Sequence, residues 1–224
     1  MAQNFTIKTF VRRNARVSTH QKDCYERLFP KYCIALHDEM LNFSHVFENT
    51  HDTIVEIGFG SGEATAKIAL QNPDKNYLAI EVFQTGVAKL LSKIEANDIE
   101  NIRIIENDAM EVLNRMIQPS SIAGFHIFFP DPWQKKRHHK RRFMQADKIT
   151  LLCEKLVPGG YLYFVTDWAE YADFALAELR RVSGLQNCYD GFAEKQTWRP
   201  QTNFEKKALT AGRTVFELLF KKQL

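Results

Sequence analysis

The segment Thr53-Ile54-Val55-Glu56-Ile57-Gly58-Phe59-Gly60-Ser61-Gly62-Glu63 constrains this chain more than any other. A short run of buried-strand character enters three glycines spaced two apart, and helix-like Glu63 to Leu70 follows. Strand, glycine turn and helix in that order open a parallel α/β unit, in which the chain reverses sharply to lay the helix back over its strand. Glycine serves there because the absence of a Cβ permits the turn and lets a ligand come close to the backbone.

The alternation then repeats. Tyr77 to Ile80 forms a second strand ending at Glu81, and Val87, Leu90, Leu91 and Ile94 recur at helical spacing. Ile102 to Ile105 is a third strand with Asp108 close behind it, and Met110, Leu113 and Ile117 mark another helix face. Gly124 to Phe129 is a fourth strand, halted by Pro130-Asp131-Pro132. Phe143 to Leu156 has helical periodicity and is expected to stop at Pro158-Gly159-Gly160. Tyr161 to Val165 is a fifth strand with Thr166-Asp167-Trp168 at its tip. A helix on Ala172, Ala175, Leu179 and Val182 and a last strand over Thr214 to Phe220 complete the pattern. An open α/β sheet binds ligands along the carboxyl ends of its strands, so acids scattered in sequence are expected to converge on one edge.

Length suits one such domain with an extension: residues 1–50 as an N-terminal extension with a basic arm, and residues 51–224 as the main fold. Within the extension, Lys8-Thr9-Phe10-Val11-Arg12-Arg13-Asn14-Ala15-Arg16 is either a solvated tail or an arm that folds onto a polyanion. A formal charge of +3 identifies no partner by itself; the clustering of the positive charge matters more. No stretch reaches the roughly 20 apolar residues that span a bilayer, and the N-terminal residues lack the apolar core expected of a secretory signal. Cys24, Cys33, Cys153 and Cys188 are widely spaced, without zinc or redox pairing, which suggests reduced thiols and a cytoplasmic location.

The glycine segment carries specific chemistry. A dinucleotide fingerprint needs G-x-G-x-x-G, but Glu63 stands where the third glycine would fall. A carboxylate at that helix N-terminus would also repel a pyrophosphate, which uses the positive dipole end itself. Glu81 lies at the end of the second strand, where a carboxylate can accept ribose hydroxyls. Asp108 can accept from an adenine amino group, and Glu56 can lie near an ammonium. Together these favour a methyl donor built on adenosine and methionine over a nicotinamide cofactor, which remains the enzymatic alternative.

Phe128-Phe129-Pro130-Asp131-Pro132-Trp133 forms a stiff loop that aims one carboxylate, and Trp133 offers a face for stacking a base. Lys135-Lys136-Arg137-His138-His139-Lys140-Arg141-Arg142 follows and enters a helix. Positive charge of that density beside a reactive loop would hold phosphates on either side of a target base. Asp167 lies near by topology, and Thr202 with Glu205 in Arg199-Pro200-Gln201-Thr202-Asn203-Phe204-Glu205 forms a capping box. A non-catalytic RNA-binding module is the other alternative, but it gives no reason for a complete set of strand-end acids.

These motifs resemble the bacterial tRNA (guanine-N7)-methyltransferases. The likeness rests on Glu56 to Gly62, Ile80-Glu81-Val82, Asn107-Asp108-Ala109, Phe128 to Arg142, Thr166-Asp167-Trp168 and Thr202 to Glu205, with Val11-Arg12-Arg13 similar to the family's basic arm. Ala208-Leu209-Thr210-Ala211 departs from the more basic family pattern. The resemblance implies a Rossmann-like class I fold, with a mostly parallel seven-stranded sheet and helices on both faces. It implies methyl transfer from S-adenosyl-L-methionine, leaving S-adenosyl-L-homocysteine, to N7 of guanosine at position 46 in the variable loop of tRNA. Glu56, Gly58, Gly60, Gly62, Glu81, Asp108 and Asp131 would then hold the cofactor, and Asp131 would be the catalytic acid. Lys135, Arg137, His138, His139, Lys140, Arg141, Arg142, Asp167, Thr202, Asn203, Phe204 and Glu205 would contact tRNA. No metal, no membrane and no obligatory protein partner are expected, and the protein would be a monomer or homodimer.

Overall fold

The computed structural model describes residues 7–10 and 16–224. The chain falls into two compact units, Arg12–Gln118 and the pair of segments Met1–Val11 and Pro119–Leu224. In the first unit β1 (Thr53–Ile57), β2 (Asn76–Glu81) and β3 (Ile102–Glu106) run parallel. Val55 lies opposite Leu78, and Leu78 opposite Arg103. Every residue of β1 and β2 is buried, as expected of strands covered on both faces. The crossovers are α3 (Glu63–Gln71) and α4 (Gln84–Ala96), and α5 (Ala109–Arg115) follows β3. The helical stripe read from sequence is the buried face of α4: Val87, Leu90, Leu91 and Ile94 are at most 1% exposed.

The first fifty residues contain two helices that the sequence reading left unassigned. Helix α1 (Thr19–Tyr32) begins with a capping box between Ser18 and Gln21, and α2 is Phe43–Phe47. Cys24, Tyr25, Leu28, Phe29 and Tyr32 share one face of α1, of which Cys24 and Tyr32 are buried, and that spacing is the signal that could have found the helix. Beyond α1, Cys33 bridges to Ile104 of β3 and the Ile34 N–H donates to the Ile104 carbonyl at 2.8 Å.

In the second unit β4 (Ile122–Phe128) pairs parallel with β5 (Leu156–Thr166). Next to β5 runs antiparallel β7 (Phe216–Lys222), which also pairs antiparallel with β6 (Leu185–Asn187). The helices are α6 (Ala146–Lys155), α7 (Ala169–Arg180) and α8 (Asn203–Thr210). The seven strands run in the order β3-β2-β1-β4-β5-β7-β6.

Two local expectations change. Pro158-Gly159-Gly160 does not end a helix; α6 stops at Lys155, and this segment lies inside β5. Gly159 has φ +77°, and the pairing with β4 shifts register between Ile122 and Gly124, so the glycines mark an irregularity in the strand. The basic run does not feed α6 either: Lys136–Arg141 is a separate 3-10 helix. The short β6 lies outside what alternation can resolve.

Gly62 shows how tightly the first crossover is packed. It caps α3 at φ +66°, and a Cβ there would lie 2.7 Å from Leu90 Cδ1. Gly62→Ala should therefore combine backbone strain with overpacking and lower the unfolding free energy by about 2 kcal/mol or more. Urea denaturation reads this directly, and an unchanged midpoint would contradict the packing.

Candidate functional site

In the first unit the carboxyl ends of three adjacent strands carry the three acids expected there. β1 leads into Gly58, Gly60 and Gly62, which adopt φ of +74°, +60° and +66°. A Cβ at Gly58 or Gly60 would meet nothing within 4 Å, so the backbone there borders open space. The Gly58 N–H donates to the Ile80 carbonyl at 2.8 Å, tying the turn to β2. The end of β2 contributes more: Glu81 Oε2 accepts the Gly60 N–H at 2.8 Å, while Oε1 accepts from Val82 at 2.7 Å and Phe83 at 3.2 Å. Three backbone donors thus hold this buried carboxylate in one orientation.

Glu56 is also buried, 3% exposed, and its Oε2 has no hydrogen-bond partner among the described residues. Burial, opposed by the Thr65 hydroxyl and reinforced by the Glu81 charge, pushes its pKa up to about 7. A buried carboxyl oxygen without a partner is a site waiting for a donor. Asp108 is half-buried and caps α5, accepting the Met110 N–H at 2.9 Å. Glu63, in the first turn of α3, pairs with Lys67 at 3.2 Å. Gly86 was not singled out in sequence: a Cβ there would lie 2.3 Å from the Gly60 carbonyl, so its lack of a side chain lets α4 approach the turn. A glycine inside an otherwise regular helix is the signal that could have found it.

The second unit carries the loop after β4. Phe129 and Trp133, on either side of Pro130-Asp131-Pro132, both adopt left-handed conformations at φ +50° and +48°. Each costs on the order of 1 kcal/mol for a bulky residue, and such strain collects where a loop must hold a functional shape. The loop is fastened at both ends: the Phe129 N–H donates to the Val165 carbonyl at 2.8 Å, and Arg142 Nε to the Pro132 carbonyl at 2.9 Å. Asp131 is exposed between them.

The basic run divides by environment. Lys135, Lys136, Arg137 and Lys140 are exposed, and His138 and His139 are half-buried. Arg141 donates to the carbonyls of Lys8 and Phe10 at 3.1 and 3.0 Å and stacks over Trp133 at 4.1 Å. Trp133 Nε1 donates to the Thr9 carbonyl at 3.1 Å. One face of that indole is therefore already occupied by a guanidinium. Arg142 corrects the sequence reading: it is 0% exposed, lies 5.0 Å from the ring centres of Tyr171 and Phe174, and pairs with Glu170 at 3.4 Å. Such a guanidinium has no surface to offer a phosphate. Of the expected arm, Lys8 to Phe10 lie against Arg141 and Trp133, whereas Val11-Arg12-Arg13 falls outside the described residues.

Thr202 caps α8 by accepting the Glu205 N–H at 3.0 Å, but only half of the expected capping box forms. Glu205 is buried and its carboxylate takes Lys195 at 2.7 Å and Arg199 at 2.6 Å instead, so it too turns inward rather than toward a surface ligand. Arg199 also pairs with Glu217 at 2.5 Å, and Tyr163 hydroxyl donates to Glu217. Sequence reasoning singled out Arg199 to Glu205 but missed this buried network because its members come from β5, the segment before α8, α8 itself and β7. Asn203 and Phe204 are exposed, and the Phe204 ring lies 6.4 Å from that of Phe129, nearly parallel. The structure thus brings the Pro-Asp-Pro loop and the start of α8 together. Asp167, half-buried, pairs with Arg213 at 2.9 Å.

A family described as "Putative methyltransferase" matches residues 50–218. The chain is 45% identical over 216 residues to the tRNA (guanine-N(7)-)-methyltransferase of Bordetella pertussis, covering 96% of this chain and 85% of the relative. It is 43% identical over 220 residues to the protein of that name from Nitrosomonas europaea, covering 98% of each. Among solved structures, a 16S rRNA methyltransferase, KamB, superposes with a TM-score of 0.60 at 14% identity, over 81% of this chain and 93% of that one. That likeness shows the fold: an α/β methyltransferase sheet, as expected. The nicotinamide alternative is set aside by the family match.

The buried acid makes a pH-dependent prediction. Glu56 titrates near 4.5 in an unfolded chain and about 7 in the fold. Between those values the folded state keeps a proton that the unfolded state releases, so wild-type stability falls as pH rises from about 4.5 and levels off above about 7. Glu56→Gln abolishes that loss, and its stability relative to wild type should climb across this window by on the order of 3 kcal/mol. Denaturation series at several pH values check it; a pH-independent difference would show that Glu56 is not the buried acid responsible.

Proposed function

The chain belongs to the family of tRNA (guanine-N(7)-)-methyltransferases, and we propose that it transfers a methyl group from S-adenosyl-L-methionine to N7 of guanosine in tRNA, at position 46 of the variable loop. The observation that carries the cofactor side is the placing of Glu56, Glu81 and Asp108 at the carboxyl ends of three neighbouring strands, with Asp108 just past β3, and a glycine turn after the first that borders open space. The unpartnered Glu56 Oε2 suits a cationic amine, whose charge would return that acid to its ionised form. Glu81, oriented by its three N–H donors, suits ribose hydroxyls, and Asp108 suits an adenine amino group. When bound, S-adenosyl-L-methionine supplies an electrophilic methyl on a sulfonium centre.

Guanine N7 has a lone pair and no proton, so no residue is needed to uncover the nucleophile. The work of the chain is alignment, which can supply roughly 7–11 kcal/mol. As the purine gains positive charge, Asp131 offsets it by accepting from the guanine N–H edge, a charge partner rather than a general base. The strained, doubly fastened loop suits that task by fixing the carboxylate before substrate arrives. Lys135, Arg137, Lys140 and the half-buried His138 and His139 are the phosphate-binding part of the basic run; Arg141 holds the N-terminal segment and Trp133. Arg142 and Glu205 act within the fold. Thr202, Asn203, Phe204 and Asp167 remain candidates for direct contact with tRNA. A tRNA substrate supports a cytoplasmic location.

Transfer of label from methyl-tritiated S-adenosyl-L-methionine to tRNA, followed by nucleoside analysis, tests the whole reading: 7-methylguanosine is expected, and any other modified nucleoside overturns it. Asp131→Ala should slow single-turnover methyl transfer by at least about tenfold, a barrier change of about 1.4 kcal/mol, with tRNA affinity near wild type. Wild-type turnover in that variant would defeat the assignment. Replacing Lys135, Arg137 and Lys140 with glutamine should weaken tRNA binding and reduce its log–log salt slope by up to about 0.9 per lost duplex contact. Arg142→Met should instead lose stability at an unchanged slope, which separates the two classes of cation in one experiment.

A further inference from the structure

We propose that His20, Cys24 and Glu95 form a site for one zinc-type divalent metal ion that clasps α1 to α4, although the cysteine spacing in the sequence suggested no metal. Among the described residues this is the group of His, Cys and carboxylate side chains whose donor atoms gather closely, all within 4.8 Å of one another. His20 and Cys24 are four apart on α1 and so share one face, while Glu95 approaches from α4. Cys24 Sγ lies 3.5 Å from His20 Nε2 and 3.3 Å from Glu95 Oε2. A tetrahedral ion with bonds of about 2.3 Å to sulfur and about 2.0 Å to nitrogen or oxygen sets its donors about 3.5 Å apart. The two pairs that include Cys24 already stand at that spacing, and the third lies within 4.8 Å.

Neighbouring charges orient the carboxylate without using its metal-facing oxygen. Arg27 pairs with Glu95 Oε1 at 2.6 Å and with Asp23 at 3.3 Å, leaving Glu95 Oε2 turned toward Cys24. Support of a ligand's second atom in this way is a regular feature of metal sites. Cys24 is 0% exposed, with its sulfur facing this acid. One sulfur, one imidazole and one carboxylate oxygen form a borderline-soft set that favours zinc or cobalt over magnesium or calcium, which take oxygen ligands. His20 is exposed, so an ion can enter from solvent and keep water in its fourth position. The ion would brace α4, the helix whose Gly86 abuts the glycine turn. None of this depends on the RNA reading.

The full-length protein, stripped with a chelator, should bind one equivalent of zinc by calorimetry. Cobalt as a probe should show a thiolate charge-transfer band in the near ultraviolet, and zinc should displace it. Cys24→Ser should abolish the band. His20→Ala, at an exposed position that leaves the fold intact, should weaken zinc at least about tenfold and cancel the rise in Tm that zinc gives the wild type. The proposal is overturned if saturating cobalt gives no thiolate band, if the band survives in Cys24→Ser and so belongs to Cys33, Cys153 or Cys188, or if His20→Ala binds zinc as the wild type does.

Discussion

The carboxylate of Glu81 holds the first unit's binding edge in shape. By accepting the N–H groups of Gly60, Val82 and Phe83 it joins the glycine turn after β1 to the end of β2. The turn can meet this carboxylate only because its glycines adopt left-handed angles that a side chain would resist. A single acid therefore satisfies buried backbone donors while presenting negative charge to a ligand. Glu56 is the complement of this arrangement: equally buried, but with an oxygen that the described residues do not satisfy. One acid ties the turn to β2, and the other keeps an oxygen unsatisfied.

The second unit uses positive charge in the same divided way. Arg142 is buried under the Pro-Asp-Pro loop and fastens it, Arg141 anchors the N-terminal segment across Trp133, and Lys135, Arg137 and Lys140 face solvent. Burying a guanidinium is expensive unless its donors are met, and Arg142 meets a carbonyl, a carboxylate and two aromatic faces. A loop with two left-handed aromatic residues needs such an anchor, since strain persists only where surroundings over-determine the backbone. The run of cations is thus partly scaffold and partly surface, a distinction that adjacency in sequence hides.

Much of the fold was legible because buried parallel strands and the helices covering them leave strong patterns: β1, β2 and the α4 stripe stand where the residues put them. The positions of Glu56, Glu81 and Asp108 followed from the rule that strand ends gather. What escaped was of several kinds. Helix α1 went unassigned although Cys24, Tyr25, Leu28, Phe29 and Tyr32 recur at helical spacing; it is tied to α4 through Arg27 and Glu95, and the chain beyond it meets β3 at Ile104. Pro158-Gly159-Gly160 has the composition of a helix stop, yet pairing with β4 draws it into a strand. Arg142 and Glu205 look like surface charges in sequence because burial of an ion depends on partners far along the chain. Arg199 reaches Glu217 and Tyr163 across such a distance.

The chemistry accounts for why so much of the molecule is anchoring rather than reactive. A reaction that needs a proton removed places its demand on one side chain with a tuned pKa, and its surroundings can be tolerant. Methyl transfer to a lone pair places the demand on position, and position is a property of many residues. An error of about 1 Å in a near-attack arrangement can erase about a hundredfold in rate, so a mobile loop would waste the alignment that the fold provides. This explains the combination of features around Asp131: strained dihedrals at Phe129 and Trp133, a buried arginine beneath, and a backbone bond to β5. In the role proposed for it, an exposed carboxylate held still is a good partner for a charge that arrives on the base only as the methyl moves.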